Sequence, residues 1–264
     1  MRAFYSSLLC CVFLLVGGRN ALANSLQEIR ITLEAGGYDL AVEQGAALGT
    51  ADGLVLAAEA LNAKLLLGQA ERKTKTAKRA MKLAKAALVL EPQNAEAQIQ
   101  YALAYGFYGR HASNFKAWRK KLPQKIRAEI DKAAIMAPDD ARTQGLKGAW
   151  HLNLLYRAGG FDVGKRYGAS LQEGVAHFQN ALVQNNLAQN FGSDIIIASN
   201  FLMLQYALSP EDHADQTELI LLSDILTRQP QNDVERRILI QMQSVYEGFE
   251  AGDALDRAEA FLDQ

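Results

Sequence analysis

"LEPQNAEA" (residues 90–97), "MAPDDARTQ" (136–144) and "RQPQNDVER" (228–236) share one layout, and that layout decides the fold. In each, a proline is followed two residues later by Asn or Asp and then by a run of helix-forming residues. Proline cannot continue the helix before it, and Asn94, Asp140 or Asn232 can cap the helix after it. The prolines stand at 92, 138 and 230, intervals of 46 and of twice 46. The missing boundary near 184 is occupied by "QNNLAQN" (184–190). Another 46-residue step back from Pro92 reaches "ALGTADG" (47–53), with Asp52 as its cap. A fixed spacing of this length is the mark of an internal repeat.

Each unit carries a second break, at Gly36–Asp39, Gly106–Asn114 and Gly159–Gly168, so the units are antiparallel helix pairs. About twelve helices fit between Ser25 and Leu262. No segment shows the alternation of a half-buried strand, and "SDIIIASNFLMLQYAL" (193–208) has the length of a buried helix. Composition agrees, because Leu and Ala dominate, 49% of the 264 residues are hydrophobic and only five are proline. The expected fold is all-α, a solenoid of stacked pairs.

The first residues read as a signal peptide rather than as fold. Arg2 precedes the apolar run "AFYSSLLCCVFLLV", and "ALA" at 21–23 supplies small residues before a cut ahead of Asn24. The run falls short of the about 20 residues that span a bilayer, so no stable membrane span is expected after cleavage. Leu9 stands where a small residue should precede a lipidated Cys10, which argues against a lipoprotein. Domain organisation is then 1–23 signal peptide and 24–264 one solenoid domain. Cys10 and Cys11 are the only cysteines, so the mature chain enters an oxidising compartment, periplasmic or secreted, without disulfides. Without Arg2 and Arg19 it carries 26 basic and 29 acidic residues, a balance that offers nothing to nucleic acid.

The finer pattern resembles the tetratricopeptide repeat. Counting back from Pro92, Leu67-Gly68 fall on the Leu-Gly positions of a first helix, and Ala80 and Ala87 on small positions of a second, with Ala84 in place of the usual aromatic. Gly174, Phe178 and Ala181 in "GVAHFQNAL" repeat the small–aromatic–small spacing. The unit length departs from the standard 34 residues, which also admits a HEAT-like solenoid. More narrowly, "GAWH" (148–151) and "ASLQEGVAHFQNAL" (169–182) are similar to the G-x-W-H helix and the following helix of regulator-of-microtubule-dynamics-type proteins. Helix-rich partners of bacterial TRAP transporters have a looser likeness. The tetratricopeptide resemblance implies a right-handed superhelix with first helices on its concave side. Carried over position by position, the concave groove would be Leu65, Gln69, Ile99, Leu103, Phe107, Arg142, Ala149, Leu152 and Asn153: mostly apolar, with a few amides and one cation.

Other motifs say less. Gly159, Gly164 and Lys165 approximate a phosphate-binding loop, but Arg166 replaces the magnesium-binding hydroxyl and the preceding segment reads as helix. The glycines are expected to make a turn. His111, His151, His177 and His213 show no zinc-ligand spacing, though His151 and His177 can meet across a helix pair. No cofactor, metal or catalytic constellation can be assembled, so the chain is expected to bind rather than catalyse. Arg72, Lys75, Lys78, Arg79, Lys82 and Lys85 form one basic helix face, either a solvated surface or a docking face for an anionic partner. Lys116, Arg119, Lys120, Lys121, Lys125 and Arg127 are expected to form a second basic helix. The function that follows is an exported scaffold or adaptor presenting its curved surface to a protein or peptide. The alternative is a binding component beside a transporter, holding a hydrophobic small molecule.

Overall fold

The structure, a computed structural model, describes residues 21–157, 162–188, 194–208 and 217–264. Among the described residues every regular element is a helix, fourteen in all: α1 (21–34), α2 (Tyr38–Leu48), α3 (Ala51–Leu66), α4 (Lys73–Leu90), α5 (Ala95–Arg110), α6 (Asn114–Arg119), α7 (Leu122–Met136), α8 (Ala141–Tyr156), α9 (Val163–Tyr167), α10 (Leu171–Ala188), α11 (Asp194–Leu208), α12 (Thr217–Leu226), α13 (Asp233–Ala251) and α14 (Ala254–Leu262). The count exceeds twelve because α9 forms inside the expected turn Gly159–Gly168, and because the expected second basic helix is split at Lys120-Lys121 into α6 and α7. Residues 1–20 of the expected signal peptide lie outside the described residues, and 21–23 open α1.

The proline boundaries end and restart helices as their chemistry requires. Asn94 Oδ1 accepts from Ala97 N, Asp140 Oδ1 from Arg142 N and Asn232 Oδ1 from Glu235 N, at 2.9, 2.9 and 3.0 Å. Three other boundaries differ from expectation. Thr50, not Asp52, caps α3, its hydroxyl accepting from Gly53 N at 3.2 Å. The run 184–188 is still helical, as the last turns of α10, and 189–190 lie outside the described residues. α5 passes through Gly106 and Gly109 and stops only at Arg110. Gly109 is tolerated there because α7 lies against it: a Cβ would stand 2.5 Å from Ile126 Cδ1.

Sequential packing builds the solenoid. α3 lies on α4, α4 on α5, α5 on α7, α7 on α8 and α8 on α10. The first helices of successive pairs also touch one another, α3 on α5, α5 on α8 and α8 on α11, and so form a continuous inner row. Small residues set these approaches. Ala77, Ala80, Ala84 and Ala87 are fully buried along one stripe of α4. Between α8 and α10, Gly148 faces Phe178 and Gly174 faces Leu152.

The solenoid is not an open curved rod. Its last helices return to its first: α11 packs on α13 and α14, and one core joins Ile29, Leu33, Val42 and Leu61 to Ile238, Met242, Phe261 and Leu262. Polar ties cross the same closure. The Tyr38 hydroxyl donates to Asp233 Oδ2 at 2.8 Å, 195 residues away in sequence, and Asp233 is held from its other side by Arg236 and Arg237. Lys73 Nζ donates to the Asp263 carbonyl at 3.0 Å. The apolar stripe of α13 (Val234, Ile238, Met242 and Val245) is buried in this shared core, with α11, α12 and α14 packed on the same helix.

Two glycine substitutions test this packing in opposite directions. Gly148→Ala should gain helix propensity, yet its Cβ would meet buried Phe178 Cδ2 at 2.5 Å, so a net loss of about 1–3 kcal/mol is expected. At Gly106 a Cβ meets nothing within 4 Å, so Gly106→Ala should stabilise by about 0.5–1 kcal/mol. Urea midpoints that move the same way in both variants would refute the close approach of α8 and α10.

Candidate functional site

The inner row lines a half-open cavity of about 1300 Å³, larger than the roughly 300–1,000 Å³ of ordinary ligand pockets. α3 gives it Glu59, Asn62, Ala63 and Leu66; α5 gives Ile99, Gln100, Leu103, Gly106, Phe107 and Arg110; α8 gives Arg142, Leu146, Ala149 and Asn153. Arg30 and Leu33 of α1, Ile196 and Asn200 of α11, and Val234 of α13 complete the wall. The closing helices therefore turn a concave face into a chamber.

Six of the nine groove residues named from sequence line this chamber: Ile99, Leu103, Phe107, Arg142, Ala149 and Asn153. Leu65 is fully buried in the interior packing, Gln69 is exposed beyond the end of α3, and Leu152 packs under Gly174. The first unit was misplaced because Leu67-Gly68 end α3 instead of sitting within it. Gly68 has φ +67°, Gln69 N donates to Lys64 O and Gly68 N to Leu65 O, the double bond of a glycine helix stop. The inward positions of α3 are accordingly Asn62, Ala63 and Leu66.

One end of the chamber is polar, and its ions are paired. Arg142 binds Glu96 through both terminal nitrogens, at 3.0 and 2.6 Å, and also binds Asp140. Burial disfavours its charge, but hydrogen bonds from Asp140 and Glu96 outweigh that and raise its pKa above the ordinary arginine value. Arg30 Nη1 lies 2.8 Å from Glu59 Oε1; burial raises the Glu59 pKa despite this partner. Asn62 Nδ2 donates to Gln100 Oε1 at 2.8 Å. Arg142, the cation expected to meet a ligand, is thus committed to structure.

The opposite end is positive and incompletely paired. Arg110, absent from the sequence-derived groove, faces the chamber from the last turn of α5. Its guanidinium lies 5.3 Å over the Phe107 ring and makes no hydrogen bond or ion pair among the described residues. Burial, then the neighbouring Arg157 charge, pull its pKa down to about 10. Arg157 reaches the Leu262 carbonyl and Asp263 Oδ1 at 3.1 and 3.0 Å, while its Nε has no partner. Phe115 and Trp118 of α6, 66% and 53% exposed, line the rim. The signal for Arg110 was available: it continues the register of Ile99, Leu103 and Phe107, but only if α5 survives Gly106 and Gly109.

The remaining candidates find plainer places. His151 and His177 do meet, rings stacked 5.8 Å apart, outside the main chamber. His151 Nδ1 accepts from Ser170 N at 3.1 Å, which leaves the proton on Nε2, 3.3 Å from Glu173 Oε2. Among the described residues no three His, Cys, Asp or Glu side chains converge as metal ligands would. His213 lies outside the described residues. Trp150 is buried, donates to the Pro123 carbonyl at 2.9 Å and carries Arg127 over its ring. Tyr156 also borders the chamber, with Arg157 over its ring. Of the glycine loop, 158–161 lie outside the described residues; α8 precedes it, and Lys165 belongs to α9, whose cap is Asp162. Arg72, Lys75, Lys78, Arg79, Lys82 and Lys85 are all exposed on the outside of α4, with no ion pair among the described residues. No helix of the described residues is long and apolar enough to cross a membrane.

The histidines give a pH dependence. Burial, with Arg110, Lys73 and Arg157 nearby, pulls His111 down to about 4, and burial also lowers His151 and His177. A histidine kept neutral in the fold but free to protonate when unfolded favours the fold above about pH 6.5 and withdraws that support as pH falls. The thermal midpoint should therefore drop between pH 7 and pH 4. His111→Gln should remove on the order of 1–2 kcal/mol of that loss, allowing for solvent screening. A slope identical to wild type would exclude His111 as a source.

Comparison with known proteins fits the three best-defined pairs. A family model described as regulator of microtubule dynamics protein 1-3 matches residues 50–186, from the Thr50 cap of α3 to the last turn of α10 and just over half the chain. No curated protein matches the chain. The matched span holds the α3, α5 and α8 faces of the chamber, and the chain belongs to the regulator of microtubule dynamics protein 1-3 family.

Proposed function

We propose that this protein works by binding: it holds an apolar small molecule in the chamber between its inner helix row and its closing C-terminal helices. The observation that carries the reading is the chamber itself, about 1300 Å³ of space whose middle is walled by Leu66, Leu103, Phe107, Leu146 and Ala149. An empty apolar cavity costs stability, because its lining lacks packing partners and the site cannot collapse. A chamber kept this large is readily explained by an occupant. The helix pairs are read as divergent tetratricopeptide repeats, the signal-like N-terminus as export to the periplasm, and the setting as one beside a transporter. Closure by α11–α14 favours this reading over a scaffold gripping a folded partner, because much of the concave face is already covered.

Native mass spectrometry of the mature protein, purified without detergent, should show a retained small molecule. A single apo mass, together with failure to bind any apolar probe, would overturn the reading.

A second reading rests on a separate observation, the six exposed cations from Arg72, the cap of α4, to Lys85, none of them in an ion pair among the described residues. They suit docking to an acidic protein by charge complementarity, independent of the chamber. Lys78→Glu, Arg79→Glu and Lys82→Glu together should abolish capture of such a partner from an envelope extract, with the fold intact by circular dichroism. Unchanged capture would retire this docking face.

A further inference from the structure

We infer that the chamber takes a single-chain amphiphile with a monoanionic head, of the fatty-acid class, its carboxylate on Arg110 and its chain running along α5 toward Ile99. The inference rests on the ligand-binding reading above and adds to it the head group and its orientation.

The charge distribution supplies the head group. At the Arg142 end Arg30, Glu59, Glu96, Asp140 and Arg142 are already paired with one another, so a charge placed on them would have to break an existing pair. At the other end Arg110 is uncommitted. Its position in the last turn of α5 suits a cation, since helix C-termini carry partial negative charge. That accounts for the residue type but leaves the guanidinium without an acceptor, lying over Phe107 on the chamber wall. Arg110 is half-buried, and a carboxylate matches its planar donors. The neighbourhood repeats the same signature: Arg157 Nε and His111 Nε2 are both buried without partners. Asp263 is the acid nearby, and it is engaged by Arg157. A carboxylate supplies the acceptor that Arg110 lacks among the described residues.

The lane beside α5 supplies the tail. From Arg110 back to Ile99 the helix rises about 16 Å, the extended length of an acyl chain of about a dozen carbons. The side chains along it are Phe107, Leu103 and Ile99, faced by Leu66, Leu146 and Ala149. An extended peptide would bring a backbone N–H and C=O at every residue into this stretch, where almost nothing could satisfy them. A methylene chain needs no such partners. Phe115 and Trp118 on the rim place an apolar doorway at the head-group end, so the chain would enter tail first.

The test compares dodecanoate with 1-dodecanol, the same chain with and without charge, by isothermal titration calorimetry on the purified full mature chain. Wild type should bind dodecanoate at least about tenfold more tightly, the effect of one charge-assisted pair. Arg110→Met should erase the difference while leaving dodecanol binding unchanged, and Arg110→Lys should retain a preference for the acid. Circular dichroism and thermal midpoints verify both variants. Should Arg110→Met fail to fold, the wild-type comparison still decides. Equal binding of acid and alcohol by wild type, or a preference that survives Arg110→Met, overturns the head-group assignment and leaves the chamber reading standing. Failure of both probes to bind overturns both.

Discussion

A pair of antiparallel helices has an apolar flank on each side and can cover neither by itself. Everything in this protein follows from how those flanks are covered. Along most of the chain the next pair does it, and the approach is made close by small residues: the alanine stripe of α4, Gly109 against Ile126, Gly148 against Phe178. At the end of the chain no further pair is described, and the exposed flank is covered by folding back. The stripe of α13 finds the core of α1–α3, and Tyr38 and Asp233 meet across the seam. Repeat stacking normally yields an open surface; here the same hydrophobic demand closes it.

Closure has an electrostatic consequence. Asp233 is buried, which by itself disfavours its charge, but hydrogen bonds from Arg237 and Tyr38 prevail and hold its carboxyl below the usual range. The seam and the Arg142 end of the chamber are both places where ions were taken from water and given partners. Arg110, half-buried on the cavity wall over Phe107, has no acceptor among the described residues. Beside the paired Arg142 and Arg30, that makes it the informative cation of the site.

Much of this was legible beforehand. The three proline boundaries carry their own capping chemistry, and Asn94, Asp140 and Asn232 do what a side-chain oxygen two residues past a proline is suited to do. Gly174 and Phe178 were readable as complementary shapes. The errors were local in origin. Gly68, which the repeat pattern puts inside a first helix, ends α3 with a positive φ and so shifts the inward register of that helix. The segment from Gly106 reads as a break, yet glycine inside a helix costs only about 1 kcal/mol, a penalty that packing against α7 can exceed. That single misreading hid Arg110.

The sequence by itself determined the class of fold, because proline, caps and helical periodicity act within a few residues and need no knowledge of distant partners. It also determined which pairs would lie close, since small and large residues declare their fit locally. Only the tertiary structure decided that the solenoid closes, that the half-open space survives as a chamber, and which cation in it stays unpaired. Those outcomes depend on residues almost two hundred positions apart meeting in space, and pairing of that kind leaves no periodic trace along the chain.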